Sequence, residues 1–197
     1  MAELATHLGG HMSYTHLDDT ALNWLIKDFN VKSFLDVGCG PGGMVKLAKQ
    51  KGLKVKGIDG DYTLKRECSA DYILHDYATG SSGLDETFDV GWSVEFVEHV
   101  EEKYIPNYVK DFTLVKYLIL TFAPPGWPGH HHVNCQYEDY WIKKFGEYGL
   151  MYNKEYTKEL RHVSTMNLPP FGRIPPALPN SFIKDRGLFF ENARFKS

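Results

Sequence analysis

The chain has 197 residues, which suits one domain and is too short for a cofactor domain joined to a full substrate domain. Its formal net charge of -3 gives no evident footprint for binding nucleic acid. No apolar run approaches the ~20 residues of a membrane-spanning helix, and the three cysteines lack a metal-ligand spacing. We therefore expect a single cytoplasmic domain over 1–197; its oligomeric state does not follow from the sequence.

The first predicted element is a helix over 16–30, where apolar residues recur at helical spacing. Strand and helix patterns then alternate to about residue 150, which is typical of a parallel sheet with crossover helices. We assign 31–100 to a cofactor half and 101–197 to an acceptor half. Strands are predicted over 33–37, 54–58, 71–75, 88–92, 117–122, 150–156 and 187–195, and further helices over 63–68, 101–112, 137–148 and 157–166.

A glycine-rich segment, 34–43, includes the end of the first predicted strand and leads into a helix pattern. Alternating glycines allow a tight turn and a close approach of the backbone to a ligand, which then meets the amide groups at the helix start. Asp59 follows at the end of the second strand, where a carboxylate can accept hydrogen bonds from ribose hydroxyls. This layout predicts a nucleotide-binding site.

Two cofactor classes use this layout. The spacing Gly38-x-Gly40-x-x-Gly43 fits the fingerprint of nicotinamide-dependent oxidoreductases, which stays open as an alternative function, as does a noncatalytic S-adenosylmethionine-binding protein. The run Asp36-x-Gly38-x-Gly40-x-Gly42 resembles the loop of class I, Rossmann-like S-adenosylmethionine-dependent methyltransferases. A carboxylate in this place repels a diphosphate and attracts a methionine ammonium group, which favours the methyltransferase.

The resemblance implies the fold, the cofactor and its ligands. The expected fold is α/β, a three-layer sandwich with a mostly parallel seven-stranded sheet and a C-terminal antiparallel hairpin, in which 187–195 returns as an edge strand. The expected cofactor is S-adenosylmethionine, with Asp76 accepting from the adenine amino group and Tyr77 beside it as a stacking face. The cofactor-binding residues are predicted to be Asp36, Gly38, Cys39, Gly40, Gly42, Asp59, Gly60, Asp76, Tyr77 and Ser93.

The run Glu95-Phe-Val-Glu98-His99 follows the fourth predicted strand. On a helix Glu95, Glu98 and His99 would share one face, and two carboxylates with an imidazole could bind a divalent cation. The run resembles metal-liganding segments of ubiquinone-pathway O-methyltransferases and of enzymes that methylate the 3′ ends of small RNAs. Such a metal would hold an acceptor hydroxyl and lower its pKa. The alternative is a packing and hydrogen-bonding element without a metal.

Three consecutive histidines, His130, His131 and His132, follow the fifth strand and are expected at the mouth of the cleft. A neutral imidazole can act as a general base on a hydroxyl or bind a metal, so each is a catalytic candidate. Five prolines then fall within 168–179, a segment that is neither helix nor central strand and that forms either a surface connection or a wall of the substrate pocket. We expect O-methylation of a small-molecule or sugar-like acceptor.

Overall fold

The computed structural model describes residues 4–11, 13–66, 69–166 and 182–196. The predicted proline-rich segment 168–179 lies outside these residues, and so does the end of the predicted helix 63–68. The strands found in the described part are β1 (Ser33–Val37), β2 (Lys54–Asp59), β3 (Tyr72–Leu74), β4 (Phe88–Ser93), β5 (Val115–Leu120), β6 (Leu150–Tyr152) and β7 (Leu188–Asn192).

These strands form one sheet in the order β3-β2-β1-β4-β5-β7-β6. Strands β1 to β5 pair in parallel, whereas β7 runs antiparallel to both β5 and β6. The predicted fold, a mostly parallel seven-stranded sheet with a C-terminal antiparallel hairpin, is therefore confirmed.

Helices cover both faces of the sheet. They are α1 (Asp19–Phe29), α2 (Gly43–Gln50), α3 (Ile105–Phe112), α4 (Glu138–Gly146), α5 (Lys154–Val163) and α6 (Phe182–Arg186). Buried residues of α1, α2, α5 and α6 belong to one apolar cluster, and those of α3 and α4 belong to a second cluster. Phe34 of β1 points into the first cluster and Leu35 into the second, as expected for a strand that is buried on both faces. No described helix is long and apolar enough to cross a membrane.

Asp18 fixes the entry helix to the rest of the domain. It is fully buried, and its Oδ1 atom accepts from the amide of Ala21 at 3.0 Å, which caps α1. The same carboxylate accepts hydrogen bonds from the hydroxyl of Ser164 and from the amide of Thr165, just after α5. One side chain thus joins the start of α1 to the end of α5.

The bounds of several predicted elements differ from the structure by a few residues, and three elements differ more. The predicted strand 150–156 ends at Tyr152, because Asn153 accepts from the amide of Tyr156 and begins α5. The predicted edge strand 187–195 is wrong in its position, since β7 lies between β5 and β6. The described part of the predicted helix 63–68 is not helical, since the Asp61 side chain accepts from the amide and hydroxyl of Thr63 and holds a turn.

Candidate functional site

A cleft with a volume of about 890 Å³ opens at the carboxyl ends of the parallel strands. This is the edge where open α/β sheets bind their ligands. One side of the cleft is formed by the glycine loop after β1 and the residues that follow β2 and β3. The other side is formed by the segment after β4, the loop 127–132 and α6, while residues near the N-terminus line it as well.

The glycine loop has the geometry that its sequence predicts. Gly38, Gly40 and Gly42 have φ angles of 78°, 50° and 84°, a region that favours glycine. A Cβ atom on Gly38 would lie 2.4 Å from the ring of Phe96, and one on Gly42 would lie 2.3 Å from the hydroxyl of Tyr72. The close packing of Phe96 and Tyr72 against the loop therefore depends on the absence of side chains at Gly38 and Gly42.

Two carboxylates lie beside this loop. Asp59 Oδ2 accepts from the amide of Gly40 at 2.8 Å, and its Oδ1 atom accepts from Arg66 Nη2 at 2.9 Å and from the amide of Asp61. Asp36 is buried, and burial together with the negative charge of Asp59 raises its pKa well above the ordinary value. A positive group placed near Asp36 would therefore favour its ionised form.

The remaining residues predicted for the cofactor are placed differently from one another. Asp76 and Tyr77 both line the cleft. The hydroxyl of Tyr77 donates a hydrogen bond to the buried carboxylate of Asp111. Ser93 is fully buried and donates to the carbonyl of Val37, so its hydroxyl links β4 to β1. The cleft is also lined by Cys39, whose pKa is raised by burial, and by Gly60.

A segment near the N-terminus, residues 4–11 and 13–16, lies across the glycine-loop side of the cleft. His7 Nε2 donates to Asp76 Oδ2 at 2.8 Å, and His11 Nε2 donates to Asp61 Oδ2 at 2.9 Å. Thr15 accepts from the amide of Gly43 at the start of α2. This cover was not predicted from the sequence, although two histidines in an otherwise unassigned segment were a signal for it.

A cluster of three side chains offers metal ligands on the opposite side. One ligand atom each from Glu98, His99 and His132 lies within 4.8 Å of the other two. The backbone carbonyl of Glu98 accepts from the amides of Val133 and Asn134, at 3.0 Å each, which brings the histidine loop to the segment after β4.

Hydrogen bonds to backbone carbonyls set the orientation of both imidazoles. His99 Nδ1 donates to the carbonyl of His130 at 2.7 Å, and His132 Nδ1 donates to the carbonyl of Trp127 at 3.0 Å. Because Nδ1 carries the proton in each ring, Nε2 keeps a free lone pair. Burial, and then the nearby His132, lower the pKa of His99 to about 4, so His99 is neutral at physiological pH.

Glu98 is fully buried, and neither of its side-chain oxygens has a hydrogen-bond partner among the residues that the structure describes. Burial, followed by the negative charge of Glu95, raises its pKa well above the ordinary value. A buried polar group without partners is costly, which makes it an informative feature of a folded protein. A bound cation would supply the missing partner.

Glu95, Glu98 and His99 do not lie on a helix, so they do not share the helix face that their spacing would give. Glu95 has a φ angle of 53°, and only a short 3₁₀ turn, Val97–His99, follows it. Because of this break, Glu95 Oε1 turns to Thr121 Oγ1 at 3.1 Å and to Arg186 Nη2 at 3.2 Å.

The three consecutive histidines have separate surroundings. His130 Nε2 donates to the carbonyl of Thr6 at 2.9 Å, which ties the loop to the N-terminal segment. His131 has a φ angle of 46°, and burial, then the neighbouring His7, lower its pKa below the ordinary value. His132 is the one that joins the cluster with Glu98.

Comparison with known proteins agrees with this geometry. Residues 35–112 match the family model described as a methyltransferase domain. Among solved structures, magnesium protoporphyrin IX methyltransferase from Synechocystis PCC 6803 with bound S-adenosylhomocysteine has a TM-score of 0.60 at 19% identity, covering 88% of this chain and 80% of that one. No curated protein matched the sequence.

Two further structures have similar folds. A TehB-like methyltransferase from Corynebacterium glutamicum has a TM-score of 0.58 at 15% identity, covering 89% of each chain. The methyltransferase domain of bacterial CtHen1 has a TM-score of 0.55 at 15% identity, covering 87% of this chain and 97% of that one. The antiparallel β7 also departs from the strand order typical of dinucleotide-binding domains. Residues 35–112 thus resemble a methyltransferase domain, and the fold of the chain is similar to that of class I, Rossmann-like S-adenosylmethionine-dependent methyltransferases.

Proposed function

We propose that the protein is an O-methyltransferase whose acceptor hydroxyl is activated by a divalent cation held by Glu98, His99 and His132. The observation that carries this proposal is the fully buried, unpartnered carboxylate of Glu98 beside two imidazoles. This ligand set keeps Glu98 and His99 of the sequence prediction, replaces Glu95 with His132, and leaves Glu95 paired with Arg186.

The donor set decides which cations are suitable. One carboxylate and two imidazoles favour Mn²⁺, Fe²⁺, Co²⁺ or Zn²⁺, whereas Mg²⁺ and Ca²⁺ prefer sites made of oxygen ligands. Three protein ligands leave coordination positions open for an acceptor oxygen. When bound, such a cation supplies a Lewis acid that lowers the pKa of a coordinated hydroxyl. The carbonyls of His130 and Trp127 keep both rings in the orientation needed for binding.

The cofactor is assigned to the glycine-loop side of the cleft. The proposal assigns the ribose to Asp59, the methionine ammonium to Asp36 and the adenine to the neighbourhood of Asp76 and Gly60. Asp59 has one oxygen that meets a single donor, the amide of Gly40, so it retains capacity to accept a ribose hydroxyl. S-adenosylmethionine supplies a methyl group on a positively charged sulfur, and the domain contributes by positioning the acceptor against it.

Three histidines, His130, His131 and His132, are the alternative candidates for a general base. His130 is held by Thr6 and His132 belongs to the ligand set, so a mechanism without a metal would leave His131 as the general base on a small-molecule or sugar-like acceptor. The two mechanisms differ in how the acceptor hydroxyl loses its proton. A bound metal lowers the pKa of the hydroxyl, so that no dedicated base is needed, whereas without a metal a side chain must remove the proton.

Methyl transfer from tritiated S-adenosylmethionine to a panel of hydroxyl, amine, carboxyl and thiol acceptors tests the proposal. We expect transfer to hydroxyl groups, loss of transfer on complete chelation, and recovery with Mn²⁺, Co²⁺ or Zn²⁺. His132→Asn should abolish the recovery, while the adjacent His131→Asn should retain it. Transfer that survives chelation but is lost in His131→Asn would establish the general base and overturn the metal assignment.

A further inference from the structure

Arg186, in α6, is a buried cation in the wall of the cleft, on the side formed by α6 and the segment after β4. Its residue is 6% exposed, and it lines the cleft. Nε donates to the carbonyl of Phe122 at 2.7 Å, and Nη2 donates to Glu95 Oε1 at 3.2 Å. The guanidinium carbon lies 4.2 Å from the centre of the Trp127 ring, which holds the group in a fixed plane.

One nitrogen of this guanidinium has no partner. Nη1 of Arg186 is buried and makes no hydrogen bond to any residue in the described ranges. A buried donor of a charged group that is left without an acceptor costs free energy, and such a group is seldom retained in a protein without a reason. The other two nitrogens are anchored, so Nη1 is the donor that remains for a ligand.

A second unpartnered nitrogen, in the ring of His16, lies near Phe182, which Arg186 also approaches. His16 Nδ1 is also buried and makes no hydrogen bond within the described part of the chain. The His16 ring centre lies 4.2 Å from that of Phe182, and the Arg186 guanidinium carbon lies 5.6 Å from the same Phe182 ring. Both residues line the cleft. Burial lowers the pKa of His16 to about 4, so the ring is neutral at physiological pH and has one N–H to donate.

We infer that Arg186 Nη1 and His16 Nδ1 form an oxyanion subsite for the methyl acceptor, which would carry a carboxylate or a phosphate group. This inference rests on the proposed function, because it takes this side of the cleft as the acceptor site. Nη1 carries two N–H donors of a delocalised cation, which suits an oxygen atom of either group. The aromatic rings of Trp127 and Phe182 would hold a flat or apolar part of the acceptor next to that group.

The ion pair of Glu95 with Arg186 reduces the net positive charge of the subsite. The Glu95 carboxylate already neutralises much of the Arg186 charge through Nη2. The subsite therefore attracts an anion through two directed donors in a buried place more than through net charge. An acceptor with a neutral group in this position would leave both donors unsatisfied and would bind more weakly.

Calorimetric titration of protein saturated with S-adenosylhomocysteine tests this subsite with three probes: phenyl phosphate, benzoate and neutral benzyl alcohol. We expect at least one anion to bind, with benzyl alcohol about tenfold or more weaker. Arg186→Gln should weaken the anion by about tenfold to a hundredfold. Arg194→Gln makes the same change of charge at an exposed arginine outside the cleft lining and should have no effect.

Binding of phenyl phosphate alone indicates a phosphorylated acceptor, and binding of benzoate alone indicates a carboxylic acid.

Two further variants keep the test decisive if Arg186→Gln does not fold. Arg186→Lys keeps the charge but loses the fork of donors, and His16→Phe removes the second donor while it keeps a ring against Phe182; each should weaken the anion by about tenfold. Two results would overturn the inferred subsite in protein that still binds S-adenosylhomocysteine. In one, the anions bind no better than benzyl alcohol; in the other, they bind the wild-type protein and all variants equally. Absence of S-adenosylhomocysteine binding would instead overturn the proposed function.

Discussion

Replacing Glu98 with leucine should stabilise the metal-free protein and remove its response to metal. The carboxylate is fully buried without a described partner, and leucine has a similar length without polar atoms. Relieving one unsatisfied buried polar group is worth about 1–3 kcal/mol. At about 2–4 °C per kcal/mol for a domain of this size, the unfolding midpoint should rise by about 2–12 °C.

The assay is thermal unfolding with chelator and then with Mn²⁺. A cation at 100 times its dissociation constant adds about 2.7 kcal/mol to the stability of the wild-type protein, which corresponds to a rise of about 5–11 °C. Glu98→Leu should show no such rise. Glu159→Leu, which changes an exposed glutamate of α5, serves as the control and should shift the stability of the metal-free protein by no more than about 0.5 kcal/mol.

One result for Glu98→Leu would contradict the metal assignment. If Glu98→Leu lowered the midpoint of the metal-free protein and kept the Mn²⁺-dependent rise, Glu98 would be a satisfied structural residue. The ligand set would then be wrong.

Other predictions concern the cofactor loop and the entry helix. Gly38→Ala should weaken S-adenosylhomocysteine binding about tenfold or more in calorimetry, since its Cβ would lie 2.4 Å from Phe96. Gly52→Ala, with a similar φ of 84° but open space around it, should cost only stability and not affinity. The pKa of Asp36 is raised above 3.8 in the folded protein, so the free energy of unfolding should fall as the pH rises above 3.8. Urea unfolding of Asp36→Asn at a series of pH values should show a smaller fall than that of the wild-type protein. Asp18→Ala should cost about 2–4 kcal/mol in urea unfolding, because it removes a helix cap and leaves buried donors unpaired; a cost below 0.5 kcal/mol would contradict that role.

The sequence predicts the cofactor half of the fold well because its signals are local. The strand Ser33–Val37, the glycines after it and the carboxylate of Asp59 all lie within one strand-loop-helix-strand unit. Hydrophobic periodicity and turn chemistry act over such short distances. The antiparallel C-terminal strand was also predicted, but its place between β5 and β6 depends on long-range pairing, which no local pattern encodes.

The acceptor side depends on contacts between residues far apart in the chain. His132 reaches Glu98 because two amides of its loop donate to the Glu98 carbonyl, and Arg186 reaches Glu95 from α6. Helical spacing suggested that Glu95 would accompany Glu98, but the positive φ of Glu95 redirects its side chain. The covering segment near the N-terminus could not be predicted from periodicity, since its contacts are single hydrogen bonds to distant carboxylates.

A crystal grown with S-adenosylhomocysteine and Mn²⁺ and measured for anomalous scattering tests whether Glu98, His99 and His132 hold a metal. We expect one manganese peak within about 2.0–2.3 Å of Glu98 and of the Nε2 atoms of His99 and His132, with the cofactor product along the glycine loop across the cleft. A cofactor product in that place with no manganese peak at these three residues would contradict the metal-assisted mechanism.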